Sequence, residues 1–300
     1  MSISGINSSL NQLNRAHSLQ SQSIQRIATG SKHSSAAYGA SDYAIAQKMQ
    51  YNLGGIRQSN SNTQTANSML NVASGAVNNT VSSLSSLRET LINAANSTNG
   101  STDVAALQES VNQTLSQINT NAQVEYNGQK LLDGSQTVTV AGIDGYDNVS
   151  LGDMSTKGLG LTDSQGNSTI NLQEVNRALG DPSQPNGTED GVLNKALSQA
   201  LDTVDAALNK ALDQATNIGA AQQGMDYQSA NYTTMEENLQ SALSTSDDTD
   251  IAAESVNNAS AKNQTQMAMW AVKQGLQNFS QQMLGTLNNH SRGAAYNMLS

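Results

Sequence analysis

The longest regular pattern in this chain runs from Ile45 to about Asn96. Met49, Ile56, Leu70, Val77, Leu84 and Leu91 fall on one position of a seven-residue repeat, with Thr63 as the single polar member. A second position reads Ile45, Asn52, Ser59, Ala66, Ala73, Thr80, Leu87 and Ala94, mostly small or polar, and no proline interrupts the span. This is the period of a coiled-coil seam, about 3.5 residues. It predicts one helix roughly 78 Å long at ~1.5 Å per residue. A helix with so narrow an apolar stripe gains its stability from partners, so the remainder of the chain should supply them.

Partners are visible on both sides of it. A weaker seam, Ile6, Leu10, Leu13, Ile24 and Ile27, occupies the N-terminal segment, with His17 and Gln20 as polar members. A Gly/Ser/Ala-rich break covers Gly30 to Ser41, where Ser41 reads as an N-cap. After the turn formers of Asn96–Gly100, a helix is predicted over Asp103–Ala122, antiparallel to the first. Asn127-Gly128 and Asp133-Gly134 mark turns, and the period then changes to two in Thr137–Val140, with Asn148–Leu151 as a second strand. Residues 152–191 are Gly/Asp/Ser-rich, hold both prolines, and read as a short exposed insertion with a helix at Leu172–Leu179. Helical periodicity returns at Leu193 and lasts to Leu243, and after a break at Ser244–Asp250 a last helix carries Met269, Val272, Leu276, Phe279 and Met283.

The predicted fold class is therefore mainly α: an elongated hairpin-like bundle of long coiled-coil helices with a small β-hairpin insertion. Its segments are 1–41 (terminal helix and loop), 42–135 (outgoing rod helices), 136–191 (hairpin and insertion), 192–246 (returning rod helix) and 247–300 (C-terminal helix).

Composition narrows the function. Only 13% of residues are charged and 3% aromatic, so thin helix–helix seams suit the chain better than a thick globular core. A formal charge of −10 without a Lys/Arg stripe argues against nucleic-acid binding. There is no cysteine, hence no disulfide or thiol chemistry. No apolar run approaches the ~20 residues of a membrane span, and the opening MSISGINSSLNQLNR lacks the basic and apolar regions of a cleaved signal. His17, His33 and His290 show no ligand spacing, so metal is not expected. Asp247, Asp248 and Asp250 lack the glycine of a calcium loop and read as junction and N-cap residues. Neither a nucleophile elbow nor a phosphate loop is present. The residues give no enzyme and no cofactor.

Several stretches resemble bacterial flagellins. Ser23–Ala46, SIQRIATGSKHSSAAYGASDYAIA, is similar to the family's N-terminal signature, and Glu125–Leu132, EYNGQKLL, to its Asn-Gly turn. Asp153–Leu161 resembles the segment after its β-hairpin, and Asp248-Thr-Asp250 the junction before its last helix. Tyr38 and Gly39 stand where the family has paired aspartates, and the C-terminal helix is longer by roughly three turns around Met267–Gln277. The resemblance implies an extracellular structural subunit that polymerises with itself into the flagellar filament for swimming. It further implies export without a cleaved signal through the flagellar type III apparatus, with an export chaperone, filament cap and hook-junction proteins as partners.

Under this reading Ile6, Leu10, Leu13, Ile24, Ile27, Met269, Val272, Leu276, Phe279 and Met283 form the self-assembly seam. Met49, Ile56, Leu70, Val77, Leu84 and Leu91 form the rod core. Arg88 and Glu89 match the face that a Toll-like innate receptor reads, but Ser86, Thr90 and Gln117 depart from it, so weak activation is expected. A hook–filament junction protein, or a secreted adhesin or enzyme on the same scaffold, are the alternatives.

Overall fold

The computed structural model describes residues 3–95, 99–143, 145–172 and 189–299. Its helices are α1 (Ile3–Thr29), α2 (Ala40–Ala94), α3 (Ser101–Ala122), α4 (Thr156–Leu159), α5 (Glu189–Asp247) and α6 (Ile251–Leu299). Four strands complete it: β1 (Glu125–Tyr126), β2 (Gln129–Lys130), β3 (Thr137–Gly142) and β4 (Gly145–Ser150). The fold is mainly α, as the periodicity predicts. The chain divides into two compact units, residues 1–53 with 237–300 and residues 54–236; α2 and α5 each contribute to both.

In the 54–236 unit, α2 and α5 run antiparallel, because their paired residues count in opposite directions. Arg57 meets Glu236 (2.6 Å), Asn67 meets Asp226 (2.7 Å), Asn71 meets Gln222 (2.7 Å) and Arg88 meets Asp205 (2.8 Å). Leu70, Val77, Leu84 and Leu91 are fully buried and Ile56 nearly so, while Met49, in the other unit, is half-buried. The core partners of Leu70, Val77, Leu84 and Leu91 are Val104, Val111 and Ile118 on α3 and Val204, Ala207, Ala211 and Ile218 on α5. Polar members of the seam are satisfied locally: the buried Thr63 and Thr80 hydroxyls donate to the carbonyls of Ser59 and Ala76, each at 3.0 Å. That back-bonding lets a helix rich in Ser and Thr bury its own hydroxyls without unpaired donors.

Several boundaries differ from the pattern. Helix α2 begins at Ala40, so Ser41 lies inside its first turn instead of capping it; Gly39, at φ +145°, makes the preceding bend. Asp103 opens α3 by accepting the Gly100 amide (3.0 Å). The Asn127-Gly128 turn, both residues at positive φ, closes a minimal hairpin of β1 and β2. Strands β3 and β4 pair antiparallel from Thr137↔Ser150 to Gly142↔Gly145, longer than the alternation alone marks.

The larger correction concerns the insertion, expected to be exposed. Met154, Leu159, Leu161, Ile170 and Leu172 are buried in the core of this unit. The sequence hides this because the apolar residues are spread among glycines and polar residues, and side chains of the bundle hold the backbone. The Asn119 side-chain oxygen accepts from Thr156 N and Oγ1 (3.0 Å each), and Gln108 accepts from Leu172 N (2.6 Å). Lys210 donates to the Gly158 and Leu159 carbonyls (3.2 and 3.4 Å), and Gln214 brackets Ser150 O and Gly152 N. A Cβ at Gly158 would run into the Asp153 side chain and carbonyl, so only glycine permits this close turn. Pro182, Pro185 and all of the predicted Leu172–Leu179 helix beyond Leu172 lie outside the described residues.

Truncating Leu84, fully buried between these helices, to alanine is expected to cost about 2–5 kcal/mol in urea unfolding. Tyr227→Ala, at 67% exposure, should stay within about 0.5 kcal/mol of the parent.

Candidate functional site

The surface that sequence reasoning assigns to self-assembly lies in the unit of residues 1–53 and 237–300, where α1 packs antiparallel on α6. The less exposed positions alternate in steps of three and four: Ile6, Ser9, Leu13, Ala16, Gln20, Ser23 and Ile27 on α1, then Glu254, Asn258, Ala261, Thr265, Ala268, Val272, Gly275 and Phe279 on α6. The deepest of these are small, Ala16, Ser23, Ala261, Thr265, Ala268 and Gly275. Small side chains at the centre of the seam let the two backbones approach, so close packing takes the place of bulk.

The ten expected seam residues therefore do not form one seam. Ile6, Leu13, Ile27, Val272 and Phe279 are half-buried members of the α1–α6 seam. Leu10 (45% exposed), Ile24 (50%), Met269 (47%), Leu276 (53%) and Met283 (58%) stand one helical position beyond it, open to solvent. They keep the seven-residue spacing, in a second stripe beside the first. Trp270, Leu284 and Leu287 are exposed alongside. The size of these side chains marked them as seam residues in the sequence, but the small residues next to them occupy the interior of the pair.

A polar cluster, not foreseen from the sequence, fastens one end of this pair. Glu254 is buried; it accepts the Ser23 hydroxyl at 2.6 Å, Asn257 Nδ2 at 3.3 Å, and lies 3.9 Å from the Arg26 guanidinium. The Ser23 hydroxyl, then the Asn257 amide and Arg26, hold its carboxyl below the ordinary glutamate value against the opposing effect of burial. Just beyond, buried Asp247 accepts the Ser31 hydroxyl (2.8 Å to each oxygen) and the His33 amide (3.1 Å). Backbone bonds Lys32 N to Asp247 O (2.6 Å) and Thr249 N to Gly30 O (2.8 Å) close the junction. The His33 ring sits between two carboxylates, Nδ1 3.3 Å from Asp247 and Nε2 3.5 Å from Asp42. Asp250 caps α6 by accepting Ala252 N and Ala253 N, both at 3.0 Å. One sequence signal pointed to the cluster: Glu254 is the single acidic residue of α1 and α6 together.

The third predicted face lies in the other unit. Arg88 Nε donates to Asp205 Oδ1 at 2.8 Å, and Glu89 is exposed. Ser86 and Gln117 line an open groove of about 360 Å³ with Ser82, Ser83, Ser110, Gln113 and Thr114, a surface of hydroxyls and amides without charge. Among the described residues no group of three or more His, Asp or Glu side chains is placed to hold a metal ion. Among them, too, no helix is long and apolar enough to cross a membrane.

Because Glu254 is held below its ordinary value, its contribution is full above the unfolded glutamate value and is lost as pH falls through the lowered folded one. Protection factors against amide exchange in α1 and the first turns of α6 are therefore expected to fall on acidification below about pH 4, in excess of the chain average. A Glu254→Gln variant should lose that excess; an unchanged acid response in the variant would count against it.

A family model described as the bacterial flagellin N-terminal helical region matches residues 4–137, and the flagellin C-terminal helical region matches 201–287. A flagellin of Clostridium tyrobutyricum is 34% identical over 146 residues, 48% of this chain and 39% of that protein. A flagellin of Salmonella typhimurium is 30% identical over 168 residues, 55% of this chain and 33% of the relative. The matched regions thus span a third to two fifths of these relatives' lengths. A solved Vibrio parahaemolyticus structure described as a flagellar hook-associated protein shares the fold at a TM-score of 0.54 and 14% identity, over 70% of this chain and all of that one. With both terminal helical regions matched in order, the chain belongs to the bacterial flagellin family.

Proposed function

We propose that this protein is the structural subunit of an extracellular bacterial flagellar filament used for swimming, and that copies join through the second stripe of the α1–α6 pair. The observation that carries the reading is the row of large apolar side chains left open beside a seam that is already closed, Leu10, Ile24, Met269, Leu276 and Met283. With about half of each side chain left to cover, each contributes roughly 0.7–1.5 kcal/mol on full burial by a neighbour, and their seven-residue spacing suits knobs-into-holes contact with another helix. Work is done by geometry, without catalytic chemistry. Family membership supports export through the flagellar type III apparatus, with a chaperone, a filament cap and hook-junction proteins as the proposed partners. The Vibrio structure keeps a junction protein of the hook as the second reading, supported only by likeness of fold.

The same membership raises recognition by a Toll-like innate receptor. Arg88 is engaged by Asp205, and the neighbouring groove offers Ser86 and Gln117 where a basic and an acidic group would be needed. The reading is weak activation.

Electron microscopy after seeding is expected to show long helical filaments; short caps or no polymer would favour the junction protein. Replacing Leu276 and Met283 together by aspartate should raise the critical concentration for assembly on the order of tenfold or more, equivalent to at least about 1.4 kcal/mol, with monomer helicity unchanged. In a reporter-cell assay the dose response should lie to the right of that of a strongly stimulatory flagellin, and coincident curves would refute the receptor reading.

A further inference from the structure

Two antiparallel helices whose seam is lined by small residues have a problem that large residues solve elsewhere: nothing in the steric pattern selects one pairing. In the observed arrangement Ser23 lies against Glu254, and one repeat further on this sets Ala16 against Ala261 and Ser9 against Ala268. Sliding α1 by one repeat would set Ser23 against Ala261, Ala16 against Ala268 and Ser9 against Gly275. Ala16 and Ser9 meet side chains of nearly the same volume as before, Ser23 exchanges a carboxylate for a methyl group, and the seven-residue spacing keeps every seam position inward. Burial at these small positions does little to separate the two registers.

We propose that Glu254, together with Asp247, sets the register of α1 against α6. Both are positioning residues. Glu254 is the sole acidic side chain on the pair, is 8% exposed, and takes the Ser23 hydroxyl and the Arg26 guanidinium that this register brings to it. After a slip of one repeat it would fall opposite Gly30, past the last residue of α1, without the Ser23 hydroxyl, and a buried carboxylate that loses its hydrogen-bond partner carries a large penalty. Asp247 acts at the adjoining junction, where its carboxylate takes the Ser31 hydroxyl and the His33 amide. All the side-chain bonds that discriminate the two registers thus lie at one end of the pair, within two turns. A single polar contact fixing the alignment of an otherwise permissive seam is the best-attested use of buried polar groups in coiled coils. The slip would move Leu10 and Ile24 by about 10 Å along Met269, Leu276 and Met283, so the shape of the exposed stripe depends on this lock, whatever that stripe contacts.

The chain has no cysteine, so disulfide trapping in the full-length protein can report the register directly. One double-cysteine reporter, Ala16→Cys with Ala261→Cys, reads the observed register. A second, Ala16→Cys with Ala268→Cys, reads the slipped one. With Asp247 and Glu254 in place, only the first is expected to cross-link intramolecularly. In an Asp247→Ala, Glu254→Ala background the second should appear at a comparable rate. A Glu254→Gln background, which retains an acceptor for Ser23, should keep the first dominant. Persistence of the first reporter alone in the double-alanine background would overturn the proposal. Loss of both cross-links there would assign the cluster to holding the pair together instead of aligning it, and would overturn it equally. Failure of the first reporter in the parent would refute the observed register itself.

Discussion

A helix of fifty-five residues with a stripe only two positions wide has to be closed by its neighbours, and that requirement shapes the rest of the 54–236 unit. Its inner face is met by α3 and α5 over most of the span, and the segment after β4 fills what those two leave open. The fit is made with leucine and alanine in the core and amides at the margins. Aromatic residues are nearly absent, so no thick core forms, and each added element lies directly against a helix.

The terminal helices answer the same requirement differently. Their mutual seam uses alanine, serine and glycine, which bring backbones close but remove little apolar area from water. The large side chains that would have supplied that area stand just outside the contact. A pair built this way is closed in geometry and open in energetics. It is well suited to hold an alignment while leaving its strongest hydrophobic groups for a neighbour.

How much of this was legible in the sequence follows from what each element advertises. The α2 seam, the α3 span and the return helix were legible because leucine, valine and isoleucine recur with the helical period, and the Asn-Gly and Asp-Gly turns punctuate them. The packing of Met154–Leu172 was not, because its apolar residues follow no period and are positioned by Asn119, Gln108, Lys210 and Gln214, remote in sequence. In the terminal pair the period was legible but the face was divided: Ile6, Leu13, Ile27, Val272 and Phe279 lie in the α1–α6 seam and the other five stand one position beyond it, since hydrophobicity scales reward size and the deepest positions there are small. Glu254 and Asp247 were missed as partners of Ser23 and Ser31 because contacts across more than two hundred residues leave no local trace.

The ties between α2 and α5 carry one more consequence. Among the described residues only Arg57–Glu236 and Arg88–Asp205 join these helices as ion pairs, and the Arg88 pair is nearly half exposed on both sides. Exposed pairs contribute little and are screened by salt. Of the remaining links, Asn67 with Asp226 sets a neutral amide against one carboxylate, and Asn71 with Gln222 and Ser229 with Asn60 involve uncharged groups. The grip of α2 on α5 therefore rests mainly on burial and on hydrogen bonds with at least one neutral partner. It should pass from fresh water to brine almost unchanged.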